Sequence, residues 1–302
     1  FCSRFTVGFR AKLWQRGVNA MKDVLLYSSI FWRRLGWVFS ILVFFFLIVP
    51  IVIVLPLSFS SGSFFSYPLP GISMRWYSEL FDNYKWVLAL KNSMIIAVSS
   101  AALSTVLGIS ASIALCMTDI PFKKAIYALL LAPLVMPLVI VAVACFLFYS
   151  QLGLTGSRLG LILAHTALGV PYVIIVASAA LKNFDMTLIK AARSLGASSI
   201  MTFKRVIFPA IAPAVFAGAI FAFVSSFDEI VITIFLAGPE QVTLPVRLLE
   251  GIRDEMTPVV VSAAVIMIMI SMGAMLVAEM IRRRSERLSK TGTERPALLA
   301  GK

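Results

Sequence analysis

Asp228 and Glu229 stand side by side in an otherwise apolar stretch and are the most expensive feature of the sequence. A carboxylate near the middle of a membrane span costs roughly 3 kcal/mol or more unless it faces a cavity, pairs or binds a proton. Side chains one residue apart on a helix diverge by about 100°. A continuous helix would therefore turn one acid toward a solute path and the other toward a neighbouring subunit, in either order, whereas an unwound helix would free both. Lys and Arg occur in the apolar runs only near their ends, so this chain is not expected to supply an internal salt bridge. A cationic substrate is the favoured counter-charge, with a base on a partner subunit as the alternative. Pro133 and Pro137, four residues apart in another run, each remove a backbone donor and kink the helix. They read either as structural kinks or as the lining of a translocation path. His165 is the only histidine, and a neutral, hydrogen-bonded structural role is the commoner one for such a residue.

Other chemistry is missing. No GxxxxGK[ST] loop occurs, so the chain is not expected to bind ATP in the P-loop manner by itself, and no HExxH or GxSxG is present. Cys2, Cys116 and Cys145 form no CxxC or His/Cys cluster, which leaves neither a zinc site nor a disulfide framework indicated. A catalytic role is not expected.

The elements that must position these residues follow from composition. Of 302 residues, 60% are hydrophobic and 14% charged, against about 25% charged in an average soluble domain. A span needs about 20 apolar residues to cross roughly 30 Å of hydrocarbon. Six stretches qualify, at 37–59, 93–117, 125–149, 159–181, 212–236 and 259–281. The fold class is therefore all-α, a polytopic membrane protein of six transmembrane helices. Its organisation reads as a basic N-terminal arm (1–36), a six-helix domain (37–281) containing the long connection 182–211, and a basic tail (282–302). Arg and Lys concentrate in the arm, the second and fourth connections and the tail, which makes both termini cytoplasmic. The net charge of +13 is thereby a matter of topology and lipid contact, and no nucleic-acid partner is expected. The first run reads as a retained signal-anchor, with Met21 one candidate initiator. Trp32, Trp37, Trp76, Tyr77, Tyr84 and Trp86 fall beside span ends and read mostly as interfacial anchors. The second run is crowded with small residues, among them Ser100, Ser104, Gly108 and Ser112, which suit close helix packing inside a bundle.

The connection 182–211 is too long for a simple link. Residues 187–194 (TLIKAARS) have helical spacing, Gly196 supplies a turn, Ser198 is placed to cap a following helix, and Pro209 and Pro213 mark entry to the fifth span. The expectation is helix, turn, short helix, on the cytoplasmic face. This stretch resembles the cytoplasmic loop of the membrane subunits of type I ATP-binding-cassette importers, whose pattern is EAA, three residues, Gly, nine residues, Ile-x-Leu-Pro. Ala191 and Ala192 match the alanines, Gly196 the glycine and Pro209 the proline, with Val206 and Phe208 as apolar substitutes. Lys190 departs from the pattern, standing where the family has Glu.

The runs 68–93 and 225–245 look like the spermidine/putrescine permease branch of that family. The resemblance implies a permease subunit in the bacterial cytoplasmic (inner) membrane, forming half of the path for a small cationic solute, a polyamine or related amine. Its implied partners are a homologous second permease, two ATPase subunits that carry ATP and Mg, an extracytoplasmic binding protein and membrane lipid. This chain itself would hold no cofactor. The loop from Lys190 to Pro209 would dock on an ATPase, while Asp228, Glu229, Pro133 and Pro137 would line the path. The alternative is an ion-coupled secondary transporter or channel using Asp228 and Glu229, and a third reading is a scaffold subunit without a path.

Overall fold

A computed structural model describes residues 32–64, 66–254 and 257–299, with side chains of the last stretch through Arg283. The basic arm with Arg4, Arg10, Lys12, Arg16 and Lys22, together with Met21, lies outside the described residues, as do the side chains beyond Arg283. The chain divides into two units at Leu57 and Ser58. The first unit contains one described helix, α1 (Trp32–Leu57), whose 26 residues reach a mean hydropathy of 3.3 in their most apolar stretch.

The second unit is helical. It runs through α2 (Arg75–Asp82), α3 (Tyr84–Met117), α4 (Lys123–Val135), α5 (Leu138–Gln151) and α6 (Arg158–Lys182), then α7 (Thr187–Ser194) and α8 (Ser199–Thr202). A π turn (Phe203–Ile207) leads into α9 (Phe208–Phe227), followed by α10 (Val231–Leu236), α11 (Leu244–Asp254) and α12 (Pro258–Leu299). One isolated antiparallel bridge, Ser60 to Ile72, is the extent of β pairing among the described residues. Five helices are long and apolar enough to cross a membrane, and a sixth span exists if the bent pair α4–α5 is counted as one. The all-α class and the approximate span count hold.

Two spans are not the continuous helices expected. The third is broken by 103° between α4 and α5. Pro137 disfavours helical backbone at the residue before it, and Met136 is extended (φ −71, ψ 141). Pro133, by contrast, stays inside α4. The fifth span starts at Ser199 rather than near 212, because α8 and the π turn lead straight into α9, and it ends at Phe227 instead of running to 236. Pro209 has no amide proton to give, and the preceding turn widens so that Phe208 N–H reaches Phe203 O.

Three helices form the frame. Along α3, Ser100, Ser104, Gly108 and Ser112 recur every four residues and are all buried. Ser104 Oγ donates to Thr166 O (3.1 Å) and Ser112 Oγ to Ile174 O (3.4 Å), both on α6. Val173 of α6 fills the space left by two glycines. A Cβ at Gly108 would lie 2.6 Å from Val173 Cβ, and one at Gly218 of α9 would lie 3.1 Å from Val173 Cα. The small residues thus let three backbones approach where lipid supplies no hydrophobic drive for helix association.

Trp76 and Trp86 are corrections to the anchor reading. Both are buried, packing with Leu80, Ala97, Phe227, Leu244 and Val260, and Trp76 Nε1 donates to Ser60 O at 2.7 Å. Trp32, Trp37 and Tyr84 are exposed, as an interfacial anchor requires.

Gly108→Val should collide with Val173 and cost about 3 kcal/mol, in the range of severe overpacking. Gly273→Ala meets nothing within 4 Å on α12 and should be neutral or stabilise by about 0.5–1 kcal/mol. Thermal unfolding of the detergent-solubilised protein, followed by size-exclusion profile, distinguishes the two.

Candidate functional site

The acid pair occupies a gap between helices. α9 ends at Phe227, Asp228 is its C-cap with its amide donating to Val224 O at 3.0 Å, and α10 begins three residues later. The 100° divergence expected of a continuous helix therefore does not govern the two side chains; the unwound alternative is the one found. Glu229 turns inward. Its carboxylate accepts from Ile232 N–H (2.7 Å) and Thr233 N–H (3.1 Å), covering amides that the first turn of α10 leaves without partners. Negative charge at a helix N-terminus is favoured by the backbone dipoles.

An internal titratable partner, not expected from the sequence, completes the arrangement. His165 Nε2 lies 3.5 Å from Glu229 Oε2 and 3.3 Å from Thr233 Oγ1. On the other side, His165 Nδ1 is 2.7 Å from Ser226 Oγ, to which Ser100 Oγ donates at 2.9 Å. His165 is 1% exposed and Glu229 6%. A chain of polar groups thus ties α3, α6, α9 and α10 together in the interior. The hydrogen-bonded reading of His165 agrees with this, but its place beside Glu229 needed the fold. The sequence does not single out Ser100, Ser226 and Thr233 as members of this network, because hydroxyls in small-residue helices carry no distinguishing signal.

Asp228 turns the other way. It is exposed, accepts from Ser271 Oγ of α12 at 3.3 Å, and borders a cavity of about 430 Å³. The opposite wall is Pro133, Leu134, Met136 and Leu138 at the α4–α5 break, with Leu168 and Tyr172 of α6 between. The two broken spans therefore face one cavity, and freed backbone at membrane depth is tolerated where it borders such a space. Pro133, Asp228 and Glu229 are brought together here, Glu229 at the wall while its carboxylate caps α10. Pro137 is not in the lining; it acts one step away, by forcing Met136 out of the helix.

The connection 182–211 forms the second candidate region. Asp185 accepts from Thr187 N–H (2.9 Å) and Thr187 Oγ1 (2.7 Å) at the entry to α7, and these bonds hold its carboxyl below the usual carboxylate range. Lys190 and Ala191 are exposed and Ala192 is half-buried. Gly196 has φ +80. Its N–H donates to Arg193 O (2.9 Å), and Ala197 N–H reaches back to Ala192 O (3.0 Å), the pair of bonds that closes a helix through a left-handed residue. Ser198 caps α8 through Met201 N–H at 3.3 Å. The expected helix, turn and cap are present, while the second helix is the start of the fifth span rather than a separate piece. Pro209 sits exposed as the second residue of α9.

Comparison with known proteins agrees with this geometry. A model of the family described as "binding-protein-dependent transport system inner membrane component" matches residues 104–287. The spermidine/putrescine transport system permease protein PotC of Haemophilus influenzae is 30% identical over 247 residues, covering 82% of this chain and 96% of that one. The putrescine transport system permease protein PotI of Escherichia coli is 32% identical over 228 residues, covering 73% and 81%. Among solved structures, a chain of a bacterial alginate ABC transporter, in complex with alginate pentasaccharide-bound periplasmic protein, superimposes with a TM-score of 0.64 at 18% identity, covering 92% of this chain and 99% of that one.

A left-handed conformation costs a side-chain-bearing residue roughly 1–2 kcal/mol, Asn least. Gly196→Val should therefore lower hydrogen-exchange protection at the amides of Leu195 to Ala197 by about tenfold, while Gly196→Asn leaves it within about twofold. Nothing lies within 4 Å of a Cβ there, so equal protection in both variants would show that the turn tolerates any residue.

Proposed function

Because the chain belongs to the binding-protein-dependent transport system inner membrane component family, we propose that it is the permease subunit of an ATP-driven importer, forming half of the path for a polyamine or related small amine. As a transport subunit it is not an enzyme; ATP and Mg belong to partner ATPases. The observation that carries the substrate class is Asp228, an exposed carboxylate on a largely apolar cavity whose wall also includes Glu229. An alkyl chain bearing ammonium groups matches such a wall, because the methylenes meet Leu134, Met136 and Leu168 while one ammonium meets the acid. The Tyr172 ring adds a face that attracts cations. Both relatives named above are polyamine permeases, which supports the same class. Family membership also answers the alternative of an ion-coupled secondary carrier.

The coupling region is α7 with the turn at Gly196. Leu188, Leu195, Ile200 and Met201 are exposed there and offer an apolar contact to an ATPase groove, and Lys190 and Arg193 offer cations to its acids. Lys190 in place of Glu inverts one polar contact of the family's loop while Ala191, Ala192, Gly196 and Pro209 keep the spacing. ATP-driven closure of two ATPases would then rock the helices around the cavity. A homologous second permease would complete the path, and an extracytoplasmic binding protein would deliver solute at the opposite end. The basic connections favour cytoplasmic termini in a multi-pass bacterial inner-membrane protein, with the arm 1–36 and tail 282–302 on that side of the domain 37–281.

Asp228→Asn should leave assembly and ATPase binding intact and lower initial amine uptake about tenfold or more, the loss expected of one charge-assisted contact. Glu229→Gln should act instead on stability, lowering the unfolding temperature of the complex, because that carboxylate already serves α10 and His165. Uptake by reconstituted vesicles at saturating binding protein is the measurement. Wild-type uptake by Asp228→Asn would overturn the amine path, and unchanged transport per ATP in Gly196→Val would remove the coupling role of the loop.

A further inference from the structure

At the end of the bundle where α6 runs into the α7 connection, α3, α4 and α6 enclose a second cavity of about 250 Å³. Lys123 and Lys124 of α4 and Lys182 of α6 line it, with Tyr127 and Ser178, and no acid contributes to the wall. Among the described residues none of the three lysines forms an ion pair. Three like charges lining one cavity with no acid on its wall make it a place of positive potential that attracts an anion. Ser178 supplies an independent observation. It is 4% exposed, and its Oγ has no hydrogen-bond partner. A buried hydroxyl left without a partner forfeits its hydration, and in the wall of this cavity Ser178 is placed to turn toward a ligand oxygen. The N-terminus of the 13-residue α4 opens beside the same lysines, its cap residue Phe122 gives no side-chain cap bond, and its first turn contains no acid. Its free amides favour an anion as well.

We propose that this cavity binds a phosphate group, presented either by an anionic phospholipid headgroup or by soluble phosphate. Three ammonium groups surround a tetrahedral anion with donors, the Tyr127 and Ser178 hydroxyls donate to its remaining oxygens, and the apolar wall from Leu115 excludes water on one side. Basic pockets between helices at a membrane surface are suited to such headgroups. The position next to Lys182, five residues before α7, couples occupancy of the site to the entry of the α7 connection. The inference is independent of which solute the chain carries.

The test uses the full chain in nanodiscs of phosphatidylcholine with or without phosphatidylglycerol. Native mass spectrometry reads retained lipid, and thermal unfolding in inorganic phosphate against chloride at equal ionic strength reads the soluble anion. Preferential retention of phosphatidylglycerol identifies the lipid, and a saturable rise in unfolding temperature with phosphate identifies the soluble ion; either supports the site. Lys123→Gln/Lys124→Gln/Lys182→Gln should lower binding by on the order of a hundredfold, about fivefold per lysine. Lys85→Gln/Lys91→Gln, exposed on the N-terminal part of α3, should leave it unchanged. Ser178→Ala, which keeps all charge and removes only the hydroxyl, should lower binding a few-fold and serves if the triple variant does not fold. Absence of both signals overturns the proposal, as does equal loss in the triple variant and the Lys85/Lys91 control.

Discussion

Inside an apolar layer every amide, carbonyl and charge must find its partner within the protein, and Glu229 is where that requirement shapes this fold most. Its carboxylate takes the two amides at the head of α10 and sits beside His165, which reaches through Ser226 to Ser100. The cost of burying the acid and the cost of starting a helix in mid-membrane offset each other at one point. Because Glu229 is committed inward, the backbone that turns at Asp228 can point the second carboxylate out to the cavity. One acid thus stabilises the break that frees the other.

The opposite wall arises from a different cause with the same outcome. Pro137 drives Met136 out of the helical region and the third span breaks by 103°. The break at Met136 borders the cavity, which is the condition under which irregular backbone persists at membrane depth. Two broken spans then meet across α6, whose Tyr172 and Leu168 bridge them. The α3–α6–α9 frame holds this arrangement. Val173 against Gly108 and Gly218 leaves no room for the helices to slide, so the breaks are positioned by tight packing elsewhere.

The α7 connection is built on another principle. Its helix, its left-handed closure at Gly196 and the Ser198 cap are all local, each bond spanning five residues or fewer. It owes little to the core apart from Ile189 and Phe184, which pack with Phe203 and Ile207. Such a unit keeps its shape while leaving Leu188, Leu195, Ile200 and Met201 exposed.

How much of this was legible in the sequence divides along the same line. Helical class, span number, the buried stripe at Ser100, Ser104, Gly108 and Ser112, and the turn at Gly196 with its Ser198 cap depend on composition, periodicity and spacings of a few residues. Those are properties of the chain itself, and the sequence determined them. The family resemblance lay there too, because its loop pattern is a matter of spacing. What the tertiary structure decided concerns residues far apart in the chain. His165 and Glu229 are 64 positions apart, and nothing in either neighbourhood marks them as partners. Trp76 and Trp86 have the composition of interfacial anchors and are core residues only because α11 and α12 cover them. Helical periodicity predicts a continuous span through Asp228 because it has no term for a carboxylate that satisfies amides three and four residues ahead. That cap is local, but its pairing with His165 exists only in the packed bundle, and the sequence does not show it.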